Sequence, residues 1–203
     1  MKIICIARNY PEHARELNNE LPDQPVFFLK PDSALLLKNQ PFFIPEFSED
    51  VHYEAEVVVR INRLGRHIDR KFAHRYYNQV ALGIDFTARD IQQMCKQKGL
   101  PWEPAKAFDR SAAVSEFIDL QTAGPIQALN FSLNINDKQV QLGDTSEMLF
   151  SVDDIIAHVS QFMTLKIGDL IFTGTPPGVG PVNTSDKLTG YLGNREMLNF
   201  DIK

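Results

Sequence analysis

Val51-His52-Tyr53-Glu54-Ala55-Glu56-Val57-Val58-Val59 is rich in β-branched and aromatic residues and holds no glycine or proline. It reads as a β-strand. Side chains alternate between the faces of a strand, so Glu54 and Glu56 share a face that Val58 continues into apolar core. At ~6 Å and an effective dielectric near 20, their repulsion is roughly 3 kcal/mol. A positive partner is expected between them, and a hard divalent cation supplies it. A solvated sheet face has the same E-x-E spacing, so context decides. A second apolar strand, Val80-Ala81-Leu82-Gly83-Ile84-Asp85-Phe86, brings a third carboxylate, Asp85, near its end. Three carboxylates fill half an octahedron and leave positions for water or substrate.

Before this segment the chain reads as short strands. Met1–Ile6 is apolar and too short for a signal-peptide core or a membrane span. Pro25–Pro31 is bounded by prolines, as an edge or short strand is. Leu35–Leu37 and Phe42–Ile44 are further short runs. Pro11 fits the first position of a short helix, with Glu12 in its first turn and the Asn18-Asn19 pair and Pro22 ending it. His13 and Glu16 share a face of that helix, which taken alone reads as exposed surface.

After it, the stretch from Asp69 to Asn78 suggests a short helix. Ala88–Lys98 is a helix stopped by Gly99 and Pro101. Leu100–Asp109 reads as an ordered loop around Lys106, for which solvation is the default. Phe131–Ile135 and Lys138–Leu142 form a hairpin through Asn136-Asp137. Ser151 and Asp154 resemble a capping box, and Val152, Ile155, Ile156, Val159, Phe162 and Met163 recur at helical spacing as core. Thr173–Gly180 is Gly-rich but lacks the end of a P-loop. It is either a tight turn or a loop presenting Thr175 and backbone N–H groups to an anion.

With 203 residues, the chain suits a single domain, residues 1–203, with a substantial core. A formal net charge of -5 disfavours nonspecific nucleic-acid or anionic-membrane partners. Cys5 and Cys95 have no zinc-like spacing, and a disulfide framework is not expected. A cytoplasmic protein is expected.

The pieces R-N-Y-x-x-H-x-x-E (Arg8–Glu16), F-L-K-P (Phe28–Pro31), H-Y-E-A-E (His52–Glu56), D-F-T-A-R-D (Asp85–Asp90), K-G-L-P-W (Lys98–Trp102), A-K-x-F-D (Ala105–Asp109) and T-G-T-P-x-G-V-G (Thr173–Gly180) together resemble the fumarylacetoacetate hydrolase family. They are most similar to short members related to acylpyruvate hydrolase and oxaloacetate decarboxylase. The resemblance implies an α+β, mostly β fold, a mixed β-roll or β-sandwich with a few short helices, usually in a homodimer. It implies Mg2+ or Mn2+ held by Glu54, Glu56 and Asp85. His13 and Glu16 match a dyad on a lid helix, Lys106 an active-site lysine, and Arg8, Arg89, Gln92 and Thr175 a substrate pocket. Ala7 stands where glycine is common before R-N-Y, and the loop 181–185 is more polar than many.

Such a site suits a small 2-oxo acid, whose enolate a cation stabilises. Hydrolysis of acylpyruvates is the expected reaction, with His13 as general base oriented by Glu16. Oxaloacetate decarboxylation and keto–enol tautomerisation share the enolate and are the alternatives. A non-catalytic, metal-stabilised binding module would explain the three carboxylates and leave His13, Lys106 and Thr175 without a reason.

Overall fold

Glu54 splits the segment 51–61 into two strands in the computed structural model, which describes residues 1–17, 19–37 and 39–203. Val51–Tyr53 joins a three-stranded sheet with Thr87–Ala88 and Gly180–Pro181, whereas Ala55–Ile61 lies inside an eight-stranded sheet. The single strand expected over 51–59 is therefore corrected. The ladder stops because other segments take the backbone groups here. Gln141 Oε1 accepts from the Ala55 N–H at 2.9 Å, and the Thr175 hydroxyl donates to the Ala55 carbonyl at 2.8 Å.

The large sheet runs in the order Val26–Lys30, Ile3–Ala7, Leu170–Phe172, Ala55–Ile61, Tyr77–Asp85, Ala112–Val114, Leu35–Leu37, with Ile118–Asp119 also on Tyr77–Asp85. Its two outermost strands, Val26–Lys30 and Leu35–Leu37, are separated in sequence only by Pro31–Ala34. A flat sheet cannot be spanned by four residues, so this one curls into a half-barrel. The mostly β fold expected from the sequence is observed. A four-stranded antiparallel sheet, Lys138–Asp144, Asn130–Ile135, Lys187–Leu192, Arg195–Asp201, packs against the curl. Leu82, Phe86, Phe131 and Leu198 fill the space between the two. The hairpin turn sits at Asn136 and Asp137, both at positive φ, as expected for this turn chemistry.

The helix Val152–Phe162 carries the complete capping box of Ser151 and Asp154. It buries Val152, Ile155, Ile156 and Val159 against Ile4, Val59 and Ile171. Phe162 is a correction: it is 61 % exposed, because the last turn meets the outermost strand, where the ring rests against the partly buried Phe27 and His158. Phe42–Ile44 is not a strand: among the described residues it contributes the isolated bridge Phe42 to Ile202. Arg89–Lys98 is helical, and Gly99 ends it in the left-handed conformation at φ +64°. The loop expected over 100–109 contains a short helix, Glu103–Lys106. Pro11–Glu16 is helical as expected. Its expected stop at Asn18 lies outside the described residues.

Strand direction decides where chemistry collects. Ile3–Ala7 and Leu170–Phe172 are parallel, Ala55–Ile61 is antiparallel to the latter, and Tyr77–Asp85 is antiparallel to Ala55–Ile61. One edge of the sheet therefore gathers Arg8 after the first strand, Thr173–Thr175 after the second, Glu54 before the third and Asp85 at the end of the fourth.

Candidate active site

At that edge, Glu54, Glu56 and Asp85 each offer a carboxylate oxygen, and these atoms lie within 4.8 Å of one another. The side chains are buried, with relative exposures of 5, 2 and 1 %. The common facing of Glu54 and Glu56 survives the break in the strand.

Three cations answer the three carboxylates unevenly. Glu54 Oε1 accepts from Arg89 at 2.6 Å, and its Oε2 accepts from the Lys106 ammonium at 2.7 Å. Lys106 also donates to Asp85 Oδ2 at 2.9 Å. The Lys30 ammonium lies 2.7 Å from Asp85 Oδ1. It approaches off the line of a hydrogen bond, so that oxygen has a charge contact but, among the described residues, no donor. Among the described residues Glu56 has no cation within 4 Å, and its Oε2 accepts only the Gly174 N–H at 2.7 Å.

The titration of the groups follows. Burial would raise the Glu54 carboxyl, but Lys106, Arg89 and His13 outweigh it and hold it well below the usual carboxylate range. Burial, then Asp85 and Glu54, push Glu56 well above that range, against the pull of Gly174 and Lys106. Burial works against the Lys106 charge, yet Asp85 and Glu54 raise its pKa. A buried carboxylate without a cation, beside an oxygen without a donor, is an all-oxygen set that fits a hard divalent ion such as Mg2+ or Mn2+.

Gly174 makes its contact possible. Its φ is +101°, and a Cβ there would sit 2.7 Å from Asn9 Cβ. Asn9 holds that junction, donating to Thr173 O at 2.7 Å and accepting from the Phe150 N–H at 2.8 Å.

The helix Pro11–Glu16 covers the cleft, so it is not merely an exposed surface helix. His13 is 7 % exposed, and its Nδ1 lies 3.0 Å from Glu16 Oε2. Glu16 Oε1 accepts the Gly178 N–H at 3.0 Å. The same carboxylate thus orients the imidazole and ties the helix to the Gly-rich loop. With Nδ1 turned to Glu16, Nε2 is the ring nitrogen left for the cleft. Every sequence-predicted site residue lines this cleft except Glu16, which stands behind His13. The space between them is about 40 Å³, enough for a few water-sized groups. The Thr175 hydroxyl is committed to the Ala55 carbonyl and accepts from Gln141 Nε2 at 2.9 Å. Its first role here is to hold the strand break. Among the described residues the buried Arg89 Nε–H has no partner, which leaves a donor at the cleft wall.

Sequence reasoning missed Lys30 and Gln141. Lys30 is 1 % exposed and donates to Ser111 O and Oγ, both at 2.9 Å. Its signals were a lysine closing the apolar run Phe27-Phe28-Leu29 and its place in the F-L-K-P piece, to which no role was attached. Gln141 is 1 % exposed and carried no signal beyond its place in a strand.

A family model described as fumarylacetoacetate (FAA) hydrolase C-terminal matches residues 2–203. Over 201 residues the chain is 41 % identical to the mitochondrial oxaloacetate tautomerase of Bos taurus, covering 99 % of this chain and 91 % of that protein. Over 203 residues it is 40 % identical to the mitochondrial oxaloacetate decarboxylase of Dictyostelium discoideum, covering 99 % and 93 %. Fumarylpyruvate hydrolase from Pseudomonas aeruginosa, solved with Mn2+ and pyruvate, superposes with a TM-score of 0.94 at 32 % identity, over 100 % of this chain and 89 % of that one.

Proposed function

The chain belongs to the fumarylacetoacetate hydrolase family, and from that premise we propose that it is a metal-dependent enzyme working through the enol of a small 2-oxo acid. The observation that carries this reading is the orphaned Glu56 carboxylate beside Glu54 and Asp85, under a histidine whose Nδ1 is fixed by Glu16. Glu54, Glu56 and Asp85 would hold Mg2+ or Mn2+, which when bound stabilises negative charge on the enolate oxygen. His13 Nε2 takes or returns the proton at C3, and Glu16 stabilises the imidazolium that forms. Lys106 offers its ammonium to charge developing on substrate, and the free Arg89 Nε–H with Gln92 orients the substrate carboxylate. Glu16, through Gly178, keeps the helix closed over the cleft and water out.

Tautomerisation of oxaloacetate needs this transfer at C3 matched by loss or gain of the proton on the enol oxygen, which His13 or water can carry, and breaks no C–C bond; the relatives named for oxaloacetate support it. Acylpyruvate hydrolysis, the reaction first expected, is the second reading. It is favoured by the same dyad, which could activate water, and by the Pseudomonas neighbour. The single domain and the homodimer belong to this proposal; a sedimentation mass of two 23.1 kDa chains supports the latter. The test follows the ultraviolet absorbance of oxaloacetate enol, and pyruvate release from oxaloacetate and acetylpyruvate, with Mg2+ and with chelator. Enol decay accelerated only with metal supports the reading. Metal-independent rates on all three, unchanged by Glu56→Gln, overturn it.

A further inference from the structure

Five cationic side chains line or back the cleft, and they divide into two groups. Lys30, Arg89 and Lys106 are each already paired with Asp85 or Glu54. Arg8 and Lys96 line the same cleft, and among the described residues neither has a carboxylate within 4 Å. Lys96 belongs to the helix Arg89–Lys98, where Arg89, Gln92 and Lys96 follow at i, i+3 and i+7 and so present one face. Its ammonium lies 5.6 Å from the centre of the Trp102 ring, which limits where it can swing.

Arg8 is placed by strain. Its φ is +58°, a left-handed conformation unfavourable for a side chain with a Cβ. The neighbouring Asn9 side chain, which donates to the Thr173 and Phe150 carbonyls and accepts from the Phe150 N–H just before the capped helix, holds that turn in place. Strain maintained by its surroundings at the mouth of a cleft points to a side chain whose position matters. Partial burial and then the charges of Arg8, Arg89 and Lys106 lower the Lys96 pKa, so the two unpaired cations feel each other. Such a pair costs folding energy unless an anion joins it.

We propose that Arg8 and Lys96 form a subsite for a second carboxylate, so that the cleft selects 2-oxo dicarboxylates over 2-oxo acids with a neutral distal group. This deepens the enol reading and rests on it for the placement of the first carboxylate. The three inner cations already balance the three inner carboxylates. A divalent ion adds positive charge, and the outer pair adds more, which a dianion matches better than a monoanion. Oxaloacetate and fumarylpyruvate carry the second carboxylate; acetylpyruvate does not.

The test compares kcat/KM for oxaloacetate and acetylpyruvate in the metal-loaded wild type, Lys96→Gln, Arg8→Gln and Lys98→Gln. The oxaloacetate-to-acetylpyruvate ratio should fall at least about tenfold in the first two variants, the scale of a lost hydrogen bond to a charged group. Lys96→Arg should restore it. Lys98 removes the same charge from the same helix outside the cleft, and its variant should keep the wild-type ratio. Calorimetric binding of 2-oxoglutarate and 2-oxovalerate, equal in chain length and differing by one carboxylate, reads the subsite without turnover. Wild type should prefer 2-oxoglutarate, and Lys96→Gln should erase most of that preference. An equal fall for both substrates, or an unchanged binding preference, overturns the subsite. If wild type turns over neither substrate yet prefers 2-oxoglutarate and loses that preference in Lys96→Gln, the enol reading fails and the subsite stands.

Discussion

Replacing Glu56 by Gln should stabilise the metal-free protein and remove its response to metal. Glu54 and Asp85 offer oxygens within 4.8 Å of the Glu56 carboxylate. At ~5 Å and an effective dielectric near 20, each repulsion is roughly 3 kcal/mol, partly offset by Lys106. Gln keeps the shape and can still accept the Gly174 N–H through its carbonyl oxygen. A net gain of roughly 1–3 kcal/mol remains, on the order of 5 °C in Tm for a chain of this length. The gain depends on pH. Burial and the neighbouring carboxylates raise the folded pKa of Glu56, so its penalty begins above the unfolded value of ~4.3 and grows as pH rises. The variant should therefore gain more at pH 8 than at pH 5. With Mg2+ or Mn2+ at ~1,000 times Kd, wild type gains about 4.1 kcal/mol by mass action, and the order of stability reverses. Thermal melts with chelator and with metal at both pH values read all four corners. A variant destabilised without metal, or one keeping the full metal shift, refutes the assignment of Glu56.

His13→Ala should cut proton-transfer-dependent turnover by about 100-fold or more; its effect on metal-assisted loss of CO2 from oxaloacetate should be markedly smaller. Equal losses would make the dyad a positioning device. Glu16→Ala breaks both the His13 contact and the Gly178 tether, so amide exchange across residues 11–17 should quicken; unchanged protection would show that other contacts hold the helix. Ser151→Ala removes one half of the capping box and should cost about 1 kcal/mol, read as a lower Tm. Partial burial opposes ionisation of Asp154, but bonds from Arg70 and Ser151 outweigh it and depress its pKa. Its contribution is present above the unfolded ~3.9 and is lost as pH falls through the folded value. The stability gap between wild type and Asp154→Asn should thus shrink in acid; a constant gap contradicts the account.

What the chain revealed in advance was local. Glu54, Glu56 and Asp85 stood out because charges interrupt apolar strands, and that anomaly exists in one dimension. The capping box and the hairpin turn were equally plain, since each is written within a few neighbouring residues. The strand break at Glu54 was hidden because its cause lies in Gln141 and Thr175, far along the chain. Lys30 was hidden for the same reason: its partners, Ser111 and Asp85, are reached only when the sheet curls. Phe162 satisfied the helical period, but periodicity does not say that its turn meets only the edge strand of the sheet. The roles of Arg8, Arg89 and Gln92 came from resemblance, which also sharpened the loop readings of Lys106 and Thr175. Geometry adds that Thr175 supports the backbone first.

The enol of oxaloacetate offers the most direct measurement of the central claim. Its ultraviolet absorbance can be followed in stopped flow after mixing with protein loaded with Mg2+ or Mn2+. The account predicts a metal-dependent acceleration of enol decay that chelator abolishes, that Glu56→Gln loses, and that His13→Ala reduces by about 100-fold or more. A protein that binds one metal ion at Glu54, Glu56 and Asp85 yet accelerates neither enol decay nor pyruvate release from oxaloacetate or acetylpyruvate would contradict it.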